Sequence, residues 1–79
     1  MAPGRLQSLD KALNVIELLT THGPELGVSE IAAGTSMDPS TVHRILTTLV
    51  ARNFATQNPA TRKYRLGLRF LECAASVES

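Results

Sequence analysis

Six polar side chains crowd one short stretch of the chain: Ser40, Thr41, His43, Arg44, Thr47 and Thr48, all between Pro39 and Arg52. At about 100° per residue along a helix, they share one side. Val42, Ile45, Leu46, Leu49 and Val50 cover an arc of about 140° on the other. The polar side offers hydroxyls, one imidazole and one guanidinium, and no acid. These are the groups that hydrogen-bond phosphate oxygens and base edges. Solvated helix faces ordinarily mix Glu with Lys, whereas this one repels nothing anionic.

A second cluster, Arg62, Lys63 and Arg65, lies at the end of and just after the turn-forming stretch Asn58-Pro59-Ala60-Thr61-Arg62. Alternate residues of a strand face opposite ways, so Tyr64 and Leu66 should face a core while Lys63 and Arg65 face outward. There they can neutralise phosphates, although charge on a hairpin edge also blocks aggregation. Catalysis is the competing chemistry, since Ser40 or Thr47 can meet His43 on one helix face. Yet no acidic residue occurs from Pro39 to Leu71 to orient the imidazole. A small chain also leaves little room for a pocket, so it reads as non-enzymatic. His22, His43 and Cys73 lack zinc-ligand spacing, and no metal or cofactor is expected. Cys73, the only cysteine, excludes an internal disulfide and reads as a packed small apolar residue.

The polar face needs a rigid element beneath it, and the strongest helix start in the chain supplies one. Asp38 stands at the N-cap and Pro39 at the first helical position, opening a helix that runs to about Arg52. Before it, Ser29 is expected to cap a short helix, Glu30-Ile31-Ala32-Ala33, ending at Gly34. Two helices joined by a short Gly-containing turn make a helix-turn-helix pattern. A first helix begins after Ser8 as N-cap, with Leu9, Ala12, Leu13, Ile16 and Leu19 in one stripe. Val15 and Leu18 widen its apolar arc to about 220°, more than one core face needs. The surplus reads as a subunit contact. Thr21-His22-Gly23-Pro24 stops this helix, and Leu26-Gly27-Val28 follows as an extended piece. Phe54-Ala55-Thr56-Gln57 and Lys63-Tyr64-Arg65-Leu66 are strand-like runs around the turn, a wing. From Gly67 a last amphipathic pattern begins, through Leu68, Phe70, Leu71, Ala74, Ala75 and Val77. It shows no end signal before Ser79, so the chain reads as cut off.

With 79 residues this is one small domain with a thin core. Nothing in it resembles a signal peptide or a membrane span, so a cytoplasmic location is expected. The net charge of +1 conceals a segregation. Residues 1–38 carry two cations against five acids, a charge of −3; residues 39–79 carry six against two, a charge of +4. That asymmetry points the second half at a polyanion.

Ser8-Leu9-Asp10-Lys11-Ala12-Leu13, Glu30-Ile31-Ala32, Ser40-Thr41-Val42-His43-Arg44-Ile45-Leu46-Thr47-Thr48-Leu49 and Tyr64-Arg65-Leu66-Gly67 resemble the IclR family of bacterial transcription regulators. The similarity extends in order from residue 8 to about 75. The resemblance implies a mostly α fold with a small β-hairpin: a winged helix-turn-helix over 8–66, after a flexible tail 1–7. The start of a linker helix follows over 67–79. It implies double-stranded DNA, as an inverted-repeat operator, for the partner. Residues 39–52 would be the recognition helix in the major groove, and 54–66 the wing on the backbone or minor groove. Ser40, Thr41 and Arg44 match the most family-typical polar positions. His43, Thr47, Thr48, Arg62, Lys63 and Arg65 complete the expected DNA contacts. In the family the linker helix joins the first helix in dimer contacts, so Val15, Leu18, Phe70 and Leu71 are expected at the interface of a homodimer or higher homo-oligomer. Effector sensing would belong to a further domain outside these residues. The alternative is a winged helix that binds protein, which calls for apolar or acidic groups on the third helix's polar face.

Overall fold

The structure, a computed structural model, describes residues 4–77. Its elements in order are α1 (Gln7–Thr21), α2 (Val28–Thr35), α3 (Pro39–Ala51), β1 (Ala55–Gln57), β2 (Tyr64–Leu66) and α4 (Arg69–Ser76). Residues 1–3 of the expected tail and 78–79 of the expected linker helix lie outside the described residues.

The three helices bury one face each against the others. Val15 and Leu19 of α1, Ile31 and Ala32 of α2, and Val42 and Leu46 of α3 meet Tyr64 of β2 in one core. Ile31, Leu46, Val15 and Val42 are its largest fully buried side chains. Each contributes about 1.5–3 kcal/mol of hydrophobic stabilisation. Among the described residues no polar or charged side chain is buried, so this core incurs no desolvation of charge.

The wing is an antiparallel pair in the register Ala55↔Leu66, Thr56↔Arg65 and Gln57↔Tyr64. A third extended segment joins it. Leu26 N donates to Tyr64 O at 2.9 Å and Tyr64 N to Leu26 O at 2.8 Å. The stretch between α1 and α2 is thereby stitched to the turn end of the wing strand β2.

Several helix ends differ from the sequence reading. The N-cap of α1 is Leu6, not Ser8, without a side-chain cap; an Arg5–Asp10 hydrogen bond of 2.9 Å spans that end. The bond and the charge of Asp10 raise the Arg5 pKa above its already high ordinary value. The N-cap of α2 is Gly27 rather than Ser29. Glu30 Oε1 accepts from Gly27 N at 2.8 Å, the half of a capping box that glycine can still provide. That helix also runs past Gly34 to Thr35 and closes on Ser36 in the left-handed region, φ 57°. Asp38 and Pro39 do open α3, and Asn53, also left-handed at φ 68°, follows its C-cap Arg52.

The wide apolar arc of α1 is present but turned the other way. Val15, expected at a subunit contact, is fully buried, and Leu18 is half-buried. Leu9 and Leu13 are the exposed edge, at 56% and 46%. Gly34 makes room on this side: a Cβ there would lie 2.8 Å from Leu18 Cδ2, so the bare backbone of α2 admits that leucine. The α4 helix buries no residue and ends at Ser76, with Val77 extended. Its Phe70 ring meets Phe54 edge-on, centroids 5.0 Å apart at 69°. Arg69 N donates to Asn53 O at 3.1 Å. Leu68, Leu71 and Cys73 stand exposed, so Cys73 is not the packed residue expected of it. Among the described residues none covers this helix enough to bury any of its side chains.

Candidate nucleic-acid interface

The apolar side of α3 fixes where its polar side points. With Val42 and Leu46 sunk in the core, the opposite arc runs His43, Thr47, Ser40, Arg44, Thr48, Thr41 over about 160°. All six are exposed except Thr41, which is half-buried. Thr47 and Thr48 donate their hydroxyls to the carbonyls of His43 and Arg44, at 2.9 and 3.0 Å. They therefore offer lone pairs and methyl groups outward, whereas Arg44 keeps a full set of donors.

A cleft borders each flank of this face. On one flank His43 faces the start of α2 and the wing, in a cleft shared with Ser29, Glu30, Thr61, Arg62 and Lys63. On the other, Thr41, Arg44 and Thr48 share a cleft with Ser8 and Lys11 of α1. The fold thus brings the recognition face together with Arg62 and Lys63. Arg65 sits on the sheet face opposite Tyr64, paired in register with Thr56, and lines neither cleft.

The acid that catalysis would need is present after all, because tertiary folding carries Glu30 into the cleft with His43. Its carboxylate is engaged elsewhere, accepting from Gly27 N and standing 3.8 Å from Lys63 Nζ. The wing tip has its own acid. Asn58 Nδ2 donates to Glu25 Oε2 at 3.2 Å and Thr61 Oγ1 to Glu25 Oε1 at 3.4 Å. Asn58 Oδ1 in turn accepts from Ala60 N at 2.9 Å. This clamp holds Arg62 at φ 65°, a left-handed conformation rare for a bulky residue, with its carbonyl accepting from Gln57 Nε2. Among the described residues no group of His, Cys, Asp and Glu could hold a metal, and no helix is long and apolar enough to cross a membrane.

Two features escaped the sequence reading. The Glu25 clamp joins residues more than thirty apart in sequence and leaves no local signal. Lys11 did leave one: on the helical wheel it falls between Leu18 and Val15, a cation inside an apolar arc.

The IclR helix-turn-helix domain family matches residues 8–59. The chain is 34% identical over 67 residues to the HTH-type transcriptional regulator XynR of Escherichia coli, covering 85% of this chain and 27% of that protein. It is 38% identical over 66 residues to the glycerol operon regulatory protein of Streptomyces griseus, covering 84% and 26%. An IclR family transcriptional regulator from Brucella abortus superposes with a TM-score of 0.87 at 26% identity, over 96% of this chain and 29% of that one. The chain thus spans about a quarter of the length of the curated relatives it matches. With the winged helix-turn-helix, the acid-free face of α3 and these matches together, the chain belongs to the IclR helix-turn-helix domain family, DNA-binding domains of transcription regulators.

Proposed function

We propose that this domain reads an inverted-repeat operator in double-stranded DNA as one half of a homodimer, without enzymatic activity. The acid-free polar face of α3, standing proud of the core between two clefts, carries the reading. A helix of about 10–12 Å diameter fits a major groove about 12 Å wide. Ser40, Thr41, His43 and Arg44, in its first two turns, would meet base edges and flanking phosphates, with Thr47 and Thr48 behind them. Arg62, Lys63 and Arg65 would supply contacts to backbone or minor groove that ignore sequence. Lys63 shares its charge with Glu30 and contributes least.

The dimer contact moves with the correction to α1. Leu9 and Leu13, with Leu68 and Leu71 of α4, are among the exposed apolar groups and would meet a second copy. Phe70 and Leu18 support these faces from half-buried positions. Two copies related by a dyad favour inverted half-sites. Effector sensing belongs to regions of a regulator beyond these residues, and the place of action is the cytoplasm.

Selection of bound duplexes from a random pool tests the reading. A preferred inverted repeat is expected, and Arg44→Ala should cost about 1–3 kcal/mol of preference over random DNA. Recovery of no preferred sequence, or equal losses on both duplexes, overturns the assignment of Arg44 to base edges.

A further inference from the structure

We propose that the cleft between α1 and α3 seats a phosphodiester of the DNA backbone, with Lys11 as its cation. The inference rests on the major-groove reading above, and adds a contact on the flank of α3 away from the wing.

Lys11 occupies a place where an apolar residue would serve packing better. It lies within the buried arc of α1, half-buried, and lines a cleft with Ala12, Ile45 and Leu49. Lysine in such a place covers apolar surface with its stem and keeps its ammonium at the rim. The rim is polar and without acid: Gln7, Ser8, Thr41, Arg44 and Thr48 complete the lining. The ion pairs of the described residues are Arg5–Asp10, Lys63–Glu30 and Arg69–Glu72, and Lys11 and Arg44 belong to none of them. Asp10, the acid beside Lys11 in sequence, is held by Arg5. Two unneutralised cations from different helices thus share one open cleft.

The position of the cleft gives this charge its ligand. A helix that fills the major groove has a sugar-phosphate strand along each flank. The wing-side flank holds His43, Arg62 and Lys63. The opposite strand would otherwise meet only neutral groups and Arg44, whose planar fork is suited to a base edge. Lys11, a point charge on a flexible stem, suits phosphate. The two strands would then be gripped from both sides of α3.

Lys11→Met keeps the stem and removes the charge. The 79-residue chain and this variant are titrated against a random and a preferred duplex between 50 and 200 mM salt. One lost phosphate contact makes the slope of log affinity against log salt shallower by about 0.9. Over that fourfold salt range the affinity loss shrinks about 3.5-fold. Preference between the two duplexes should stay constant, and Lys11→Arg should restore the slope. Neutral methylphosphonate linkages, placed one at a time, should include one at which the parent weakens and Lys11→Met does not weaken further. An unchanged slope in a variant that melts like the parent overturns the proposal, as does a changed preference or the absence of a compensating linkage. Loss of all duplex binding by the parent instead refutes the major-groove reading itself.

Discussion

Gly67→Ala should damage this domain far more than Gly34→Ala, although both add one methyl group where space is short. A Cβ on Gly67 would lie 2.5 Å from Asn53 O, 2.9 Å from Ala55 N and 3.0 Å from Phe54 C. Every one of these is backbone, so no rotamer change relieves the contact. Ordinary contact begins at 3.4 Å, so the two chain segments must part by roughly 0.9 Å, an overpacking of the kind that costs about 1–3 kcal/mol. The same segments are joined by Gly67 N to Phe54 O at 3.0 Å and Arg69 N to Asn53 O at 3.1 Å. Weakening these adds about 1 kcal/mol, for a total of about 2–4. A domain of this size has about 4–12 kcal/mol to lose. At about 4–8 °C per kcal/mol, Tm should fall by roughly 10–30 °C. At Gly34 the clash is with Leu18 Cδ2, at 2.8 Å, the free end of a side chain that can turn. Replacing a helical glycine by alanine also gains up to about 1 kcal/mol. Gly34→Ala should therefore stay within about 1 kcal/mol of the parent. Thermal melts followed by circular dichroism at 222 nm compare the two. Equal midpoints, or a Gly67→Ala midpoint within about 3 °C of the parent, would refute the distinction between backbone and side-chain obstruction.

Leu13→Asp should abolish self-association at high concentration, read by sedimentation, and leave Tm unchanged; Val15→Asp, placing a charge in the core, should leave no cooperative melt. Arg62→Gly releases a left-handed residue, so stability should hold or rise by up to about 1 kcal/mol while affinity for random duplex falls. A drop in its Tm shows that the φ of 65° carries no strain. Glu25→Ala removes the acceptor of Asn58 and Thr61, and amide exchange at Ala60, Thr61 and Lys63 should quicken while α3 keeps its protection. Uniform exchange rates in parent and variant would show that the wing tip holds its shape without the clamp.

The elements with strong local chemistry were legible in the residues. Asp38-Pro39 opens α3 by fixing φ and removing an orphan donor, and neither effect needs a partner. The alternation around Tyr64 likewise told which face of β2 is buried. The orientation of α1 was not legible, because an arc of about 220° offers two edges to a core that needs half of it. The choice between Val15 and Leu13 lies in the packing of other elements, α2, α3 and β2, and the room that Gly34 leaves for Leu18 is informative only once α1 rests on it. Glu30 was similarly hidden: in the sequence it is only the acid after an expected Ser29 cap, and the fold sets it near His43 and Lys63.

The single aromatic contact beneath α4 has a mechanical consequence. A helix of eight residues held at its first turns by Phe70 on Phe54 and by Arg69 N on Asn53 O is a short lever hinged at one end. Such an edge-on ring pair is worth about 0.5–1.5 kcal/mol and tolerates a range of tilts. The lever is about 12 Å long, so a swivel of about 16° sweeps its far end through about 3.4 Å. That is the rise of one base pair along a strand. In the proposed dimer, two reading heads linked through this joint would shift their spacing by a base pair without disturbing either core.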